Sequence, residues 1–177
     1  MSLSDRAGFR IRSFPVLAGV LLLTALAGCQ VRPLYSDPVG TSTALAAIEI
    51  SDADERVEQE VRNALIFLVA GGQGEPVNPQ YHLSLDVTSR AMGVLYDQNK
   101  DRVDRASAGR IVVKADYNLT KIGTGETIKS GNRTAVALVD FSVQEFAKVR
   151  AVRDGENRAA KELAELIRAD VAAALSR

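Results

Sequence analysis

Two stretches of the chain alternate apolar and polar residues with period two. Tyr81, Leu83, Leu85 and Val87 interleave with His82, Ser84, Asp86 and Thr88. Ile111, Val113, Ala115, Tyr117 and Leu119 interleave with Val112, Lys114, Asp116, Asn118 and Thr120. Each pattern predicts a strand with one buried face. The first strand tendency extends toward Tyr96, the polar run Asp97–Arg102 is a turn, and 103–109 is ambiguous. Gly123-Thr124-Gly125 marks a tight hairpin, with a return strand from Ile128 to Val139. A two-residue Gly123-Thr124 loop sets Lys121 opposite Glu126 and Leu119 opposite Ile128. A slip of one residue would exchange the faces of the whole return strand.

Two other stretches carry apolar residues at steps of three and four. Val57, Val61, Leu65 and Leu68 form one helical stripe, with Glu58, Glu60 and Arg62 off it. Asp52 with Glu55 three residues later resembles a capping box, and Gly71-Gly72 ends the helix near Ala70. A long C-terminal helix starts at Ser142 as N-cap, with Glu145 at the third position. Its stripe is Phe146, Val149, Val152, Ala160, Leu163, Ile167, Val171 and Ala174. Gly155 interrupts it at a cost of about 1 kcal/mol against alanine, and marks where the helix could bend.

With a short buried strand over 44–50, the order becomes β-α-β-β-β-α. That order predicts an α+β two-layer sandwich, with two helices on one face of a mainly antiparallel four-stranded sheet. At about 3.3 Å per residue the arms 81–96 and 103–119 extend roughly 50 Å. Two helices of ordinary length do not cover that span, so the Asp97–Arg102 end is expected to project beyond the core.

The N-terminus has a different pattern. Arg6, Arg10 and Arg12 precede an apolar run from Phe14 to Ala25, and Leu26-Ala27-Gly28-Cys29 follows with the only cysteine. The run is too short to span a bilayer and has the layout of a secretory signal peptide. The tetrapeptide resembles the lipobox of bacterial lipoproteins. That resemblance implies cleavage after Gly28, thioether lipidation at Cys29 and acylation of the new N-terminus. Several acyl chains on one residue would anchor the protein stably. Gln30, in place of the aspartate that favours inner-membrane retention in enteric lipoproteins, points to the outer membrane. The domain organisation read from the sequence is thus a cleaved signal at 1–28, a lipidated tether at 29–43 and one domain at 44–177. Removing 28 of 177 residues leaves 149, enough for one real core.

Charge narrows the function. The chain has 22 basic and 22 acidic side chains. The signal holds three arginines against Asp5, so the mature part is slightly acidic. A nucleic-acid binder would need a basic excess, so no nucleic-acid partner is expected. Enzyme chemistry lacks its parts. His82 is the one histidine, and with Cys29 lipidated no free thiol remains, so neither a metal cluster nor a Cys–His pair can form. A periplasmic hydrolase would need a nucleophile–base pair that is not visible. Asp52, Asp54 and Glu55 are explained by helix capping and the helix dipole. Gly71-Gly72-Gln73-Gly74 lacks the Lys-Ser/Thr of a phosphate loop. No cofactor, metal site or catalytic residue is expected. The basic residues Arg90, Lys100, Arg102, Arg105, Arg110, Lys114, Lys129 and Arg133, on the sheet and near its projecting end, are candidate contacts for phosphates or acidic sugars. Asp97, Asp101, Asp104 and Asp116 are interspersed among them, which also fits an ordinary solvated face.

Several segments together resemble the LptE family of lipopolysaccharide-assembly lipoproteins, alphaproteobacterial type. They are Gly28-Cys29 followed by Arg32-Pro33-Leu34-Tyr35, Arg62-Asn63-Ala64-Leu65, Asn78-Pro79-Gln80-Tyr81-His82-Leu83, Phe141 to Phe146, and Arg158-Ala159-Ala160 with Leu166-Ile167-Arg168. The resemblance implies two helices on a four-stranded sheet, seated in the lumen of a large outer-membrane β-barrel of the LptD type. It implies a non-enzymatic role, plugging that barrel, assisting its assembly and helping deliver lipopolysaccharide to the outer leaflet. Arg32, Pro33, Leu34 and Tyr35 would then dock beside the membrane. The mixed-charge faces and few aromatics suit a polar barrel lumen. The rival reading is an auxiliary lipid-binding lipoprotein of an ABC-type lipid transport system.

Overall fold

In the computed structural model, the described residues are 40–96 and 106–176. The signal segment, Cys29, Arg32–Tyr35, the Asp97–Arg102 turn and the candidates Lys100, Arg102 and Arg105 lie outside them. The elements are α1 (Thr41–Ala46), β1 (Ile48–Ile50), α2 (Arg56–Ala70), β2 (Tyr81–Tyr96), β3 (Ala106–Lys121), β4 (Thr127–Asp140) and α3 (Glu145–Leu175). The sheet order is β1-β2-β3-β4. β1 runs parallel to β2, and the other pairings are antiparallel. This is the expected α+β two-layer arrangement, with a sheet that is mixed through β1.

The alternation read from the sequence sets the layers. Leu83, Val87, Ile111, Val113, Ala115, Tyr117 and Leu119 point inward and are buried. They meet Val57, Val61, Leu65 and Val69 of α2 and Ala160, Leu163, Ile167 and Val171 of α3 in one core. Val69 takes the buried place on the stripe expected of Leu68, which packs on the core's margin. Each fully buried Leu, Ile or Val contributes about 1.5–3 kcal/mol.

The structure corrects several expectations. Thr41–Ala46 forms a short helix where a loop and a strand were expected, so β1 shrinks to Ile48–Ile50. Thr41 and Leu45 are its buried residues, and two inward contacts in six residues leave little helical periodicity to read. Asp52 does not cap α2. The N-cap is Glu55, and Glu58, itself buried, reaches back to accept the Asp54 N–H at 3.0 Å. The helix thus starts three residues later than expected, its N-cap makes no side-chain cap bond, and Glu58 is not a solvated residue. Gly71 does close the helix, in the left-handed conformation at φ 59°. α3 begins at Glu145 with Gln144 as N-cap, while the Ser142 hydroxyl accepts the Gln144 N–H at 3.2 Å.

The β3–β4 hairpin holds the largest correction. Lys121 N–H donates to Glu126 C=O at 2.8 Å, as the turn chemistry suggests. Leu119, however, stands opposite Lys129 rather than Ile128, because the register shifts between Leu119 and Thr120. The extra residue sends every later β4 residue to the opposite face. Ala135, Ala137 and Val139 therefore face the helices, while Val136 and Leu138 face solvent.

α3 is continuous through Gly155, which is buried. A Cβ at Gly155 would stand 2.6 Å from Val139 Cγ1 and 2.7 Å from Ile111 Cγ1. The glycine serves close helix–sheet approach rather than a bend. At the start of α3 the predicted stripe fails. Phe146 is 91% exposed and Val149 49% exposed.

Candidate functional site

The helices cover one side of the sheet and leave the other open. Cross-strand register arranges that open face in rows. Nearest the β3–β4 turn the rows are polar: Ser84, Asn118 and Ser130, then Asp86, Asp116 and Asn132. These residues line a shallow depression of about 370 Å³. Asp86 and Asp116 stand directly opposite each other, an unfavourable like-charge pairing. Lys114 relieves it by binding Asp116 at 2.7 Å.

Toward the far end the face changes character. Arg90, Val112 and Val136 form one row, and Met92, Arg110 and Leu138 the next. Each row carries one guanidinium and two apolar side chains, with the arginine on a different strand in each. Leu138 is 70% exposed, Val136 and Arg110 are exposed, and Val94 adds a further exposed apolar residue. Among the described residues no ion pair engages Arg90 or Arg110. Exposed apolar side chains beside unpaired guanidinium groups suit an anionic amphiphile or a partner surface of that character. Around the adjoining β4–α3 corner, Val143, Phe146 and Val149 are also exposed. Phe141 covers Gly109, where any larger residue would collide with the ring, and Lys148 sits 5.6 Å above that ring.

The structure divides the basic residues proposed from sequence. Arg90, Arg110 and Lys114 share the helix-free face. The β4 bulge turns Lys129 and Arg133 toward the helices instead. Arg133 donates to Asp170 Oδ1 at 2.6 Å and Tyr117 O–H donates to Asp170 Oδ2 at 2.5 Å, so Arg133 joins a structural network. Partial burial acts to raise the Asp170 pKa, but the Tyr117 and Arg133 hydrogen bonds outweigh it and hold the carboxyl below its ordinary range. Burial first, and the Asp170 hydrogen bond second, push the Tyr117 phenol well above its usual value. His82 lies on the open face, half exposed, 3.6 Å from Glu49.

Sequence reasoning missed the apolar members Val112, Val136 and Leu138. For Val136 and Leu138 the signal lay in β4, where apolar residues run unbroken from Ala135 to Val139 and so supply both faces.

Arg62, one of the residues carrying the family resemblance, has a supporting place. Its Nε donates to Ser51 C=O at 3.0 Å and its Nη2 to Glu75 at 2.7 Å. It ties the end of β1 to the loop after α2.

Residues 43–171 match the LptE family, described as lipopolysaccharide-assembly. The chain belongs to the LptE family. A lipoprotein of Caulobacter crescentus has a similar crystal structure, with 28% identity and a TM-score of 0.62. The match covers 77% of this chain and 96% of that one. Lipoprotein B of Nitrosomonas europaea shares the fold at 13% identity and a TM-score of 0.55, covering 73% and 83% of the two chains. No curated protein sequence matches. As an LptE-family chain, this protein is a lipopolysaccharide-assembly lipoprotein. Among the described residues no helix is long and apolar enough to cross a membrane, and no group of three or more His, Cys, Asp or Glu side chains could hold a metal ion.

Proposed function

We propose that this LptE-family protein is lipid-anchored at Cys29 to the periplasmic face of the outer membrane, seated in a large LptD-type β-barrel, where it assists barrel assembly and helps pass lipopolysaccharide to the outer leaflet. It does so without catalysing a reaction. The observation that carries this reading, beside the family, is the far end of the helix-free sheet face. Arg90 and Arg110 alternate there with Met92, Val112, Val136 and Leu138. Lipopolysaccharide combines phosphates with acyl chains. Guanidinium groups bind phosphate in bidentate fashion, and exposed valine and leucine meet apolar chains. Lys100, Arg102 and Arg105, interspersed with Asp97, Asp101 and Asp104 in the segment between β2 and β3, are further candidate phosphate contacts. Arg32, Pro33, Leu34 and Tyr35 follow the proposed anchor closely enough to dock at the membrane or the barrel rim.

The test is depletion of the protein in its own cells, with lipopolysaccharide followed by surface labelling and partners identified by detergent pull-down of the tagged full chain. Lipopolysaccharide retained inside the cell and a co-purifying outer-membrane barrel are expected. Normal surface lipopolysaccharide after depletion would overturn the reading. Recovery of inner-membrane transport subunits in place of a barrel would favour an auxiliary role in an ABC-type lipid transport system.

A further inference from the structure

The sheet has two edges, and they are treated differently. On β4, Arg158 of α3 donates to the Leu138 carbonyl at 3.0 Å and Arg133 is pinned to Asp170, so side chains blunt that edge. On β2, β1 covers only Tyr81–Leu83. Ser51 extends the cover by one step. Its N–H donates to Leu83 C=O at 3.0 Å and its hydroxyl accepts the Leu85 N–H at 3.1 Å. The cover ends there. In an antiparallel pair, successive residues turn their backbone polar groups to opposite sides. Leu83 and Leu85 bond toward β1, so Val87, Ser89 and Ala91 turn their N–H and C=O groups outward, along a register with β3 that stays regular to Gly93. Among the described residues nothing from outside the sheet bonds these backbone groups.

A groove of about 430 Å³ runs along this edge, lined by Asp86–Arg90 and by Asp54, Glu55 and Glu58 at the start of α2. Glu58 is satisfied by the Asp54 N–H. Among the described residues no ion pair engages Asp54, Glu55 or Asp86. The groove therefore offers an unpaired strand edge walled mainly by carboxylates, with Arg90 at its far end. The inner wall is firm, because Ser89 Oγ donates to Glu156 at 3.2 Å and Arg56 bonds both Glu156 and Asn157.

We propose that the open edge of β2 from Val87 to Ala91 receives an extended segment of a partner polypeptide bearing lysine or arginine, which adds to the sheet beyond β1. Backbone hydrogen bonds to Val87, Ser89 and Ala91 supply the affinity, and basic side chains placed against Asp54, Glu55 and Asp86 supply the selectivity. The arginine–apolar surface lies on the sheet's open face and meets this edge site only at Arg90, whose charge the proposed strand addition does not use, so the inference holds whether or not lipopolysaccharide is the cargo.

The experiment uses the full-length, isotope-labelled protein in detergent micelles. It is titrated with an end-blocked peptide alternating lysine and valine, and separately with the same peptide carrying glutamate for lysine. The lysine peptide is expected to slow amide exchange at Val87, Ser89 and Ala91 by about tenfold. Ala91→Pro removes one outward N–H without touching the β3 ladder, and should abolish the protection. The double variant Asp54→Lys with Asp86→Lys leaves the edge intact, reverses the wall and should abolish it too. Both replaced aspartates are exposed, so this variant decides the matter if Ala91→Pro fails to fold. No protection by the lysine peptide overturns the proposal. Equal protection by the glutamate peptide overturns the basic partner. Protection that rises with protein concentration, without peptide, overturns it in favour of a second copy of this chain.

Discussion

The Tyr117 hydroxyl on the central strand donates to Asp170 on the last helix, at 2.5 Å. Arg133 of the edge strand holds the other oxygen of the same carboxylate. One carboxylate thus joins β3, β4 and α3 near the end of the sheet opposite the arginine–apolar surface. Gly131 makes room for it, since a Cβ there would lie 2.9 Å from the Tyr117 oxygen.

This network predicts an acid-sensitive share of stability. The folded pKa of Asp170 is depressed, so its stabilising contribution is present above the unfolded carboxyl value and is lost as pH falls through the folded value. Asp170→Asn should flatten the acid limb of thermal stability measured from neutral pH downward. Tyr117→Phe should cost about 1–2 kcal/mol at neutral pH in urea denaturation. An acid limb unchanged in Asp170→Asn would remove the network from the account.

Gly155 supports a second prediction, opposite in sign to helix propensity. Alanine in a helix interior gains about 1 kcal/mol over glycine. Here its Cβ would press on Val139 and Ile111, both in the core. Gly155→Ala should therefore destabilise by about 1–2 kcal/mol, and Gly155→Val by more. Equilibrium unfolding of the three chains checks the order, and a stabilised alanine variant would contradict it.

Much of the fold was legible because its period-two and helical patterns are clean. Leu83 to Val87 and Ile111 to Leu119 each show one apolar row, so only one face can be buried. β4 offers two usable rows, Ala135, Ala137 and Val139 against Val136 and Leu138. The bulge at Ile128 chooses between them, and the Lys121–Glu126 pair at the turn is the same with or without it. That single choice decides that Arg133 meets Asp170 and that Leu138 joins Arg110 on the open face. It is a tertiary decision, made by how α3 fits over β3 and β4. Gly155 is similar, since its reason lies in side chains distant in sequence. The far-end surface was half legible. Arg90 and Arg110 could be named from the sequence, while their apolar neighbours waited on the register.

Arg62 gives a third prediction. It binds Ser51 C=O and Glu75 together, with Asp52 3.6 Å away, while its side chain is only 16% exposed. Arg62→Ala leaves the Ser51 carbonyl without this donor and frees the loop after α2. A cost of about 1–3 kcal/mol is expected. Arg62→Lys should recover less than half of it, because one ammonium cannot reproduce a planar fork serving two acceptors. Urea denaturation, with amide exchange read at β1, distinguishes loosening of this corner from loss of the whole core. Full recovery by lysine would refute the two-acceptor role.

The exposed apolar side chains yield the prediction closest to function. Leu138 and Phe146 are 70% and 91% exposed, so neither supports the core. Leu138→Ser and Phe146→Ser should each change stability by no more than about 0.5 kcal/mol. On the proposed reading they should nevertheless impair the outer-membrane barrier, and Leu138→Ser combined with Arg90→Ala and Arg110→Ala should impair it most, because that variant strips both rows of the open face. The Ser130→Ala change, on the same face but at its polar end, serves as the comparison and should leave the barrier near normal. Growth in the presence of large antibiotics, alongside surface-labelled lipopolysaccharide and matched protein levels, reads the difference. If the polar-end and arginine–apolar variants behave alike, the far end of the face has no special part in the assembly of lipopolysaccharide.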